Sequence, residues 1–211
     1  TRAKQLSQFA LLLKACQKDA AFADAHCMPN VLTMHKPWNE ETQGPIQDML
    51  HIYFQGEATN EQKEEIAACF DLMQNADSLG SIMKFDISGS TRLLIKQTTD
   101  YWGSQEIVPE EVRTQMTAFK LILALTEKYH ALVMNPPYMG GSKMNSILGK
   151  YVKDNYEEGK ADLFSVFIQM GMERLIVKGK MAQINMQSWM FLSSFEKLRT
   201  HLLKSYNIDN M

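Results

Sequence analysis

Two adjacent prolines, Pro136 and Pro137, impose the strictest local constraint on how this 211-residue chain folds. The mainly apolar residues 130–134, just before Asn135, predict a β-strand. Proline has no backbone N–H to donate to a sheet, so the strand must end at this pair. Pro137 also biases Pro136 toward an extended conformation, which orients the Pro136 carbonyl. The sequence therefore predicts a sharp strand exit at Asn135-Pro136-Pro137-Tyr138, called the NPPY loop below.

The residues after the NPPY loop predict alternating helices and strands. The predicted elements are helices at 147–156, 161–177 and 188–204, and a strand at 181–186 that follows a turn at 178–180. Strands separated by helices of this length are typical of a parallel sheet, so the predicted fold class is α/β. Ligands of open α/β sheets bind at the carboxyl ends of the strands, which is where the NPPY loop falls.

The first part of the chain has a different character. Residues 2–24 predict an amphipathic helix, and residues 31–34 predict a short strand. The pattern then becomes mainly helical, with helices at 46–53, 61–73 and 109–125, a strand or extended segment at 80–85, and a turn at 86–90. These patterns divide the chain into 1–39 (part of an α/β core), 40–128 (a largely helical insertion) and 129–211 (the half of the core with the NPPY loop).

Composition and residue spacing argue against a self-sufficient nucleic-acid-binding domain, a metal site and a membrane protein. The formal net charge is −2, from 22 basic and 24 acidic residues, so we expect most contacts to nucleic-acid phosphates to come from outside this chain. The cysteines form no CxxC pair, and the histidines have no metal-ligand spacing, so no metal site is predicted. Without a signal-peptide pattern or a long apolar run, we expect a cytoplasmic protein that does not enter a membrane. Both chain ends interrupt predicted elements, so a longer polypeptide is expected.

The NPPY loop combines residue types that suit an amino group on a flat ring. The side-chain oxygen of Asn135 and the carbonyl of Pro136 offer two acceptors for the two hydrogens of one –NH₂ group. The ring of Tyr138 offers a surface on which a planar base can stack. We therefore expect this loop to bind a planar group that bears an amine.

Several segments resemble one enzyme family. The NPPY loop is similar to the catalytic motif of S-adenosylmethionine-dependent adenine N6 DNA methyltransferases. Residues 160–167 resemble the family's next helix, which lines the cofactor pocket, and residues 180–189 resemble the following strand and its Ser-Trp exit. The start of the chain resembles the helix after the strand that holds the cofactor ribose. The insertion, with residues 77–81, is similar to the large methyltransferases of BREX phage-defence systems (the PglX type) and their restriction–modification relatives.

The resemblance implies a partial Rossmann-like methyltransferase core, with parallel strands and flanking helices, that contains a largely helical insertion. It implies methyl transfer from S-adenosylmethionine to N6 of an adenine flipped out of double-stranded DNA. The implied partners are the rest of the same polypeptide and other defence-system subunits. The implied site residues are catalytic Asn135, Pro136, Pro137 and Tyr138, cofactor-binding Asp162, Phe164 and Phe167, and DNA-binding Gly140, Gly141 and Lys143.

One departure from the family pattern matters. No Gly-x-Gly occurs in the 211 residues, so the family's glycine-rich cofactor loop has no counterpart and this segment alone is expected to be inactive. Two other functions stay open: methylation of a protein glutamine or an RNA base, and a non-catalytic interaction module. Structural roles also stay open for the flanking residues, namely helix capping by Asp162, core packing by Phe164 and Phe167, and simple solvation of Lys143.

Overall fold

The computed structural model describes residues 2–24, 28–34, 38 and 44–210. Its strands are β1 (Tyr129–Met134) and β2 (Leu175–Gln183). The α-helices in these residues are α1 (Arg2–Lys18), α2 (Ile46–Tyr53), α3 (Asn60–Met73), α4 (Ala76–Leu79), α5 (Gly89–Ser104), α6 (Glu110–Thr126), α7 (Ser146–Asn155), α8 (Leu163–Arg174) and α9 (Glu196–Ser205). Short 3₁₀ turns lie at Ala20–Ala23, Gly80–Ile82, Gly141–Lys143, Gln187–Met190 and Ser193–Phe195.

The two strands pair in parallel and are connected through α7 and α8, which confirms the predicted α/β class. In the register, Met134 lies opposite Gln183 and Leu132 lies opposite Met181. The register of the pairing shifts between Tyr129 and Ala131 of β1. On the β2 side, the shift falls in the stretch that contains Lys178, whose φ is +66°. The carboxyl ends of both strands therefore meet at one edge, beside the NPPY loop.

Several predictions differ from the structure, among them the helix predicted at 188–204, whose α-helical part begins only at Glu196 after two 3₁₀ turns. Residues 31–34 do not form a strand. Strand β2 begins at Leu175 rather than at 181, because Lys178 takes up its left-handed backbone conformation inside the strand instead of in a turn before it. Helix α5 was not predicted, since its glycine, serine and threonine residues have weak helical propensity. It is stabilised by the Ser88 cap and by burial of one face, which includes Ile95 and Thr99.

Helix α1 confirms the predicted helix but not its predicted buried face. The helix ends at Lys18, and Asp19 caps the 3₁₀ turn that follows. Leu6 and Phe9, expected on the inner face, are exposed, and none of the described residues of α1 is buried. Its contact with the rest of the described chain includes a hydrogen bond from Gln8 Nε2 to the Pro29 carbonyl at 3.0 Å.

One large hydrophobic cluster joins the helical segment to the half with the NPPY loop. In α2 to α6, Tyr53, Phe54 and Phe119 pack their rings together. The same cluster continues into α7 and α8 through Val152 and Val166. The boundaries at residues 39 and 128 stay a prediction, but the packing across residue 128 is continuous. A smaller cluster lies between α8 and α9 and contains Phe164, Ile168, Met172, Trp189, Phe195, Leu198 and Leu202.

Hydrogen bonds reinforce this junction at the extended segment after α4. The Tyr156 hydroxyl donates to the Ile82 carbonyl at 2.6 Å, and the Lys84 backbone N–H donates to the Tyr151 hydroxyl at 2.7 Å. Arg174, at the end of α8, donates to the Met83 carbonyl at 2.9 Å. Burial raises the pKa of Tyr156, so its hydroxyl stays a donor at neutral pH. These bonds tie the helical segment to both helices that flank β1 and β2.

In the described residues, no helix has both the length and the apolar character needed to cross a membrane. The same residues contain no group of three or more histidine, cysteine, aspartate or glutamate side chains placed to hold a metal ion.

Candidate active site at the end of β1

The NPPY loop leaves the sheet at the carboxyl end of β1, as the two prolines predict. The last ladder bond there joins the Ile184 N–H to the Met134 carbonyl at 3.1 Å. Beyond it, Pro136 is buried, whereas Asn135 and Pro137 are exposed. The buried proline anchors the loop, and the side chain of Asn135 is left accessible to a ligand at the sheet edge.

Tyr138 is held in place at its hydroxyl but keeps much of its ring open. Its hydroxyl donates to the Ile184 carbonyl at 3.2 Å, just beyond the end of β2. Its ring meets the Phe164 ring edge to face, with centroids 6.3 Å apart. The residue is 49% exposed, so a flat group can still reach the ring. The arrangement suits a stacking platform that is already oriented before a ligand arrives.

Asp162 links the NPPY loop to helix α8. Its Oδ1 accepts the Phe164 N–H at 3.2 Å, which caps the helix, and also the Met139 N–H at 3.1 Å. Both bonds use Oδ1, so Oδ2 is available for a further partner. Capping, one of the two roles open from the sequence, is therefore observed, and the cofactor role of Asp162 stays a prediction.

Backbone hydrogen bonds extend this link along the loop. The Leu163 N–H donates to the Met139 carbonyl at 2.9 Å, and the Gly141 N–H donates to the Ala161 carbonyl at 2.9 Å. Gly140 and Asp162 form an isolated antiparallel bridge. A Cβ on Gly141 would lie 3.3 Å from the Lys160 carbonyl oxygen, so the close approach of the two segments favours glycine there. The loop after Tyr138 is thus attached to the start of α8.

The predicted DNA-binding residues lie on this attached loop. Gly140 precedes the 3₁₀ turn Gly141–Lys143, and the side chain of Lys143 is exposed at its end. Exposure places the Lys143 ammonium where a phosphate could meet it, but no contact in the structure tests that role. The DNA-binding assignments of Gly140, Gly141 and Lys143 stay predictions.

The predicted cofactor residues Phe164 and Phe167 pack in different directions from α8. Phe164 is 1% exposed and belongs to the smaller cluster, with its ring 5.5 Å from that of Phe195. Phe167 is half-buried and packs against the large cluster. Both rings therefore pack in a hydrophobic cluster, which is the structural role that the sequence left open for them. A cofactor contact by either ring stays a prediction.

Two residues at the site were not found from the sequence. Ile184 holds Tyr138 through its backbone carbonyl. Gln183, opposite Met134 in the register, donates from Nε2 to the Phe164 carbonyl at 2.9 Å, and its buried Oε1 has no hydrogen-bond partner among the described residues. Both positions depend on the strand register, and the only signal in the sequence was their place at the end of the next predicted strand.

Comparison with known proteins identifies the family. The model of the Eco57I restriction-modification methylase family matches residues 1–211. The adenine-specific methyltransferase BrxX of Escherichia coli O9:H4 (strain HS) is 31% identical over 230 residues, which cover 100% of this chain and 19% of that protein. The adenine-specific methyltransferase PglX of Lacticaseibacillus casei (strain Zhang) is 29% identical over 216 residues, which cover 100% of this chain and 17% of that protein.

The chain thus spans less than one fifth of the length of these curated relatives. The resemblance to large BREX-type methyltransferases, stated from the NPPY loop and the segments around it, is confirmed by both relatives and by the family match. The geometry agrees with that assignment, since an accessible asparagine and an open tyrosine ring lie at the carboxyl edge of a parallel sheet. The chain belongs to the Eco57I restriction-modification methylase family.

Proposed function

We propose that the protein containing this chain transfers a methyl group from S-adenosylmethionine to the N6 amino group of adenine in DNA. The observation that supports this most directly is the exposed Asn135 next to the half-exposed ring of Tyr138, both at the carboxyl end of β1. An amide, a carbonyl and an aromatic ring in this order suit a planar base with one exocyclic amine. The names of the relatives support adenine as that base.

In the proposed mechanism, Asn135 and Pro136 act on the amine of the target. The lone pair of the adenine amine is delocalised into the ring, so the amine is a poor nucleophile. Acceptance of its two hydrogens by Asn135 Oδ1 and the Pro136 carbonyl would favour a more tetrahedral nitrogen with its lone pair available. Positioning and preorganised acceptors then supply most of the acceleration. A strong base before attack is not required.

Tyr138 would hold the base once it has left the duplex. Stacking of a base on an aromatic ring is worth about 1–3 kcal/mol, comparable with the cost of unstacking that base. The hydrogen bond from Tyr138 to Ile184 and the edge contact with Phe164 orient the ring in advance. Less ordering is therefore needed when the base arrives.

The three predicted cofactor residues differ in whether a methyl donor could reach them. Asp162 Oδ2 accepts no hydrogen bond from the described residues, and Phe167 is only half-buried, so these two could contact a cofactor without rearrangement. Phe164 is buried and would act by supporting Tyr138. S-adenosylmethionine, when bound, supplies the methyl group, and the glycine-rich loop expected to hold it would come from another part of the polypeptide.

The proposed DNA contacts follow the charge of the chain. Lys143 and the backbone of Gly140 and Gly141 would approach the target strand close to the flipped base. With a net charge of −2, the chain needs other parts of the protein to bind most phosphates. Other defence-system subunits are proposed partners on the basis of the relatives, and the cytoplasm is the proposed compartment.

Methyl transfer to DNA by the full-length protein tests this proposal. The assay measures incorporation of labelled methyl groups into adenine-containing duplexes by wild type, Asn135→Ala and the control Asn60→Ala. Asn60 is exposed at the start of α3, so the same change there should leave the rate within about twofold. Loss of the amide acceptor should lower the rate of Asn135→Ala by about 10²–10³-fold.

The outcomes distinguish the alternatives. Undiminished transfer by Asn135→Ala would refute the assigned mechanism. Labelling of a protein glutamine or of RNA, with none of DNA, would favour the second kind of substrate. Absence of transfer to any of the three by the full-length wild type would favour a non-catalytic interaction module.

A further inference from the structure

The helical segment contains a cavity that none of the proposed catalytic residues lines. It has a volume of about 320 Å³ and lies between α2 and the first turns of α6, with Trp38 on one side. This volume is within the range of small-molecule sites, about 300–1,000 Å³. The wall contributed by Met49, Tyr53 and Val112 is buried and apolar.

Gln115 supplies an unpaired amide in this wall. The residue is 1% exposed, and neither Oε1 nor Nε2 has a hydrogen-bond partner among the described residues. The indole Nε1 of Trp38, in the same wall, is also buried without a partner in the described part of the chain. A buried amide with no partner destabilises the protein, so each such group calls for an explanation. A ligand in the cavity would satisfy these groups.

Tyr53 forms a rigid part of the wall, and its hydroxyl and carbonyl are already engaged in hydrogen bonds within the protein. Its hydroxyl is bonded to Thr99 Oγ1 at 2.9 Å, and its carbonyl accepts the Trp102 indole N–H at 2.8 Å. Its ring packs 4.2 Å from the ring of Phe119. The deep polar contacts to a ligand therefore fall on Gln115 and Trp38, while Tyr53 contributes an apolar surface.

The charged residues of the cavity restrict the ligand further. Asp48 and Glu111 line it and are exposed, whereas no lysine, arginine or histidine does so among the described residues. Carboxylates accept hydrogen bonds from hydroxyl or N–H groups and repel phosphate. An anionic ligand is therefore disfavoured.

We propose that this cavity binds a nucleobase as a free base or an unphosphorylated nucleoside. The Gln115 amide places a donor next to an acceptor, which is the pattern that pairs with the edge of a base such as adenine. Trp38 Nε1–H supplies a further donor for a ring nitrogen or a carbonyl. Asp48 and Glu111 would accept the hydroxyls of a ribose and would disfavour the corresponding nucleotide.

Calorimetry on the full-length protein tests the site. The titrants are adenosine, cytidine, uridine and adenosine monophosphate, with saturating S-adenosylhomocysteine present so that the methyl-transfer site is occupied. Saturable binding of at least one nucleoside is expected. Adenosine monophosphate should bind about tenfold more weakly than adenosine, a difference of roughly 1.4 kcal/mol, because its phosphate is repelled by Asp48 and Glu111.

Variants locate the binding. Gln115→Met keeps the length of the side chain but removes both polar atoms, so it should weaken nucleoside binding by at least about tenfold. Its melting temperature should be equal to or higher than that of wild type, because an unpaired amide is removed. Gln47→Met, an exposed position on α2, is the matched control and should bind as wild type does. Trp38→Phe keeps a ring but loses the donor, and should bind more weakly whether or not Gln115→Met folds.

Two results would overturn the proposal. One is the absence of binding by all the nucleosides to the folded wild type under these conditions. The other is wild-type affinity in a folded Gln115→Met or, where that variant does not fold, in Trp38→Phe, which would place the bound nucleoside elsewhere.

Discussion

At the scale of single residues, the structure assigns each side chain of the NPPY loop a different physical task. Pro136 is buried and anchors the strand exit, Asn135 is accessible, and Tyr138 is fixed at its hydroxyl by Ile184. Residue type and burial agree in each case, since the apolar anchor is inside and the hydrogen-bonding amide is outside. Variants that separate the ring of Tyr138 from its hydroxyl test this division.

Tyr138→Phe keeps the ring and removes the bond to the Ile184 carbonyl, whereas Tyr138→Ala removes both. If the ring is the platform for the base, the phenylalanine variant should keep kcat/KM for DNA within about fivefold of wild type, since an exposed hydrogen bond contributes about 1 kcal/mol. The alanine variant should lose about 10–100-fold, or about 1.4–2.7 kcal/mol, which is within the range for stacking of a base on an aromatic ring. Equal losses in both variants would show that the hydroxyl, not the ring, is what matters.

Asp162 allows a second prediction, about the loop that follows Tyr138. Asp162→Ala removes the acceptor for the Met139 and Phe164 N–H groups, and should cost about 1 kcal/mol for the lost cap alone. Asp162→Asn keeps an acceptor at the same place and should lose less. Hydrogen exchange measures the effect directly: residues 139–143 and the first turn of α8 should exchange faster in the alanine variant. Unchanged exchange there would contradict the proposed link.

At the level of elements, α8 packs closely against the end of the sheet from which the NPPY loop leaves. Gly171 of α8 faces the two strands so closely that a Cβ would lie 2.3 Å from Met181 Sδ and 2.9 Å from Met134 Cε. Met134 is the last residue of β1, directly before Asn135. A displacement of Met134 therefore moves the start of the candidate active site.

Gly171→Ala should therefore destabilise the protein by about 1 kcal/mol, since the two contacted atoms lie near the ends of flexible methionine side chains that can repack, and should lower methyl transfer through the shift of Met134. Gly149→Ala, in α7, is the contrasting variant, because a Cβ there would meet Met144 Cβ at an ordinary 3.8 Å. It should stabilise the protein by about 0.4–1 kcal/mol and leave activity unchanged. Thermal unfolding and the methyl-transfer assay check both. Wild-type activity in Gly171→Ala would show that the strand end tolerates the displacement.

Elements also differ in how far the sequence predicts them. Helices α2 and α3 follow from the spacing of their apolar residues. Helix α3 also begins with a capping box between Thr59 and Gln62, two residues only three positions apart in the sequence. Helix α5 does not follow, because its weak helix formers are stabilised by packing against other helices. The early start of β2 was missed for a similar reason: Leu175 joins the strand by pairing with Tyr129 of β1, on the far side of the register shift.

At the scale of the whole molecule, the large hydrophobic cluster predicts that the described helical segment and the half with the NPPY loop unfold together. Phe119 lies at its centre, in contact with the rings of Tyr53, Phe54 and Phe70. Phe119→Ala should cost about 3–5 kcal/mol. Because α7 and α8 share the cluster, hydrogen-exchange protection should fall in residues 146–170 as well as in 46–126.

Ile107→Ala is the matched control, since Ile107 is 87% exposed and its truncation should change stability by no more than about 0.5 kcal/mol. Loss of protection confined to residues 46–126 in Phe119→Ala would contradict a shared core. It would instead support independent folding of the predicted insertion.

Features that depend on near neighbours could be predicted from the amino-acid sequence. The exit of β1 at two prolines, the helix periods after it, and the resemblance that led to the family all follow from residues a few positions apart. Only the tertiary structure decided that Met134 lies opposite Gln183, that Tyr138 donates to Ile184, and that Asp162 reaches back to Met139. These contacts join residues 23 to 49 positions apart, and the free energy that selects them comes from packing and pairing across the whole fold.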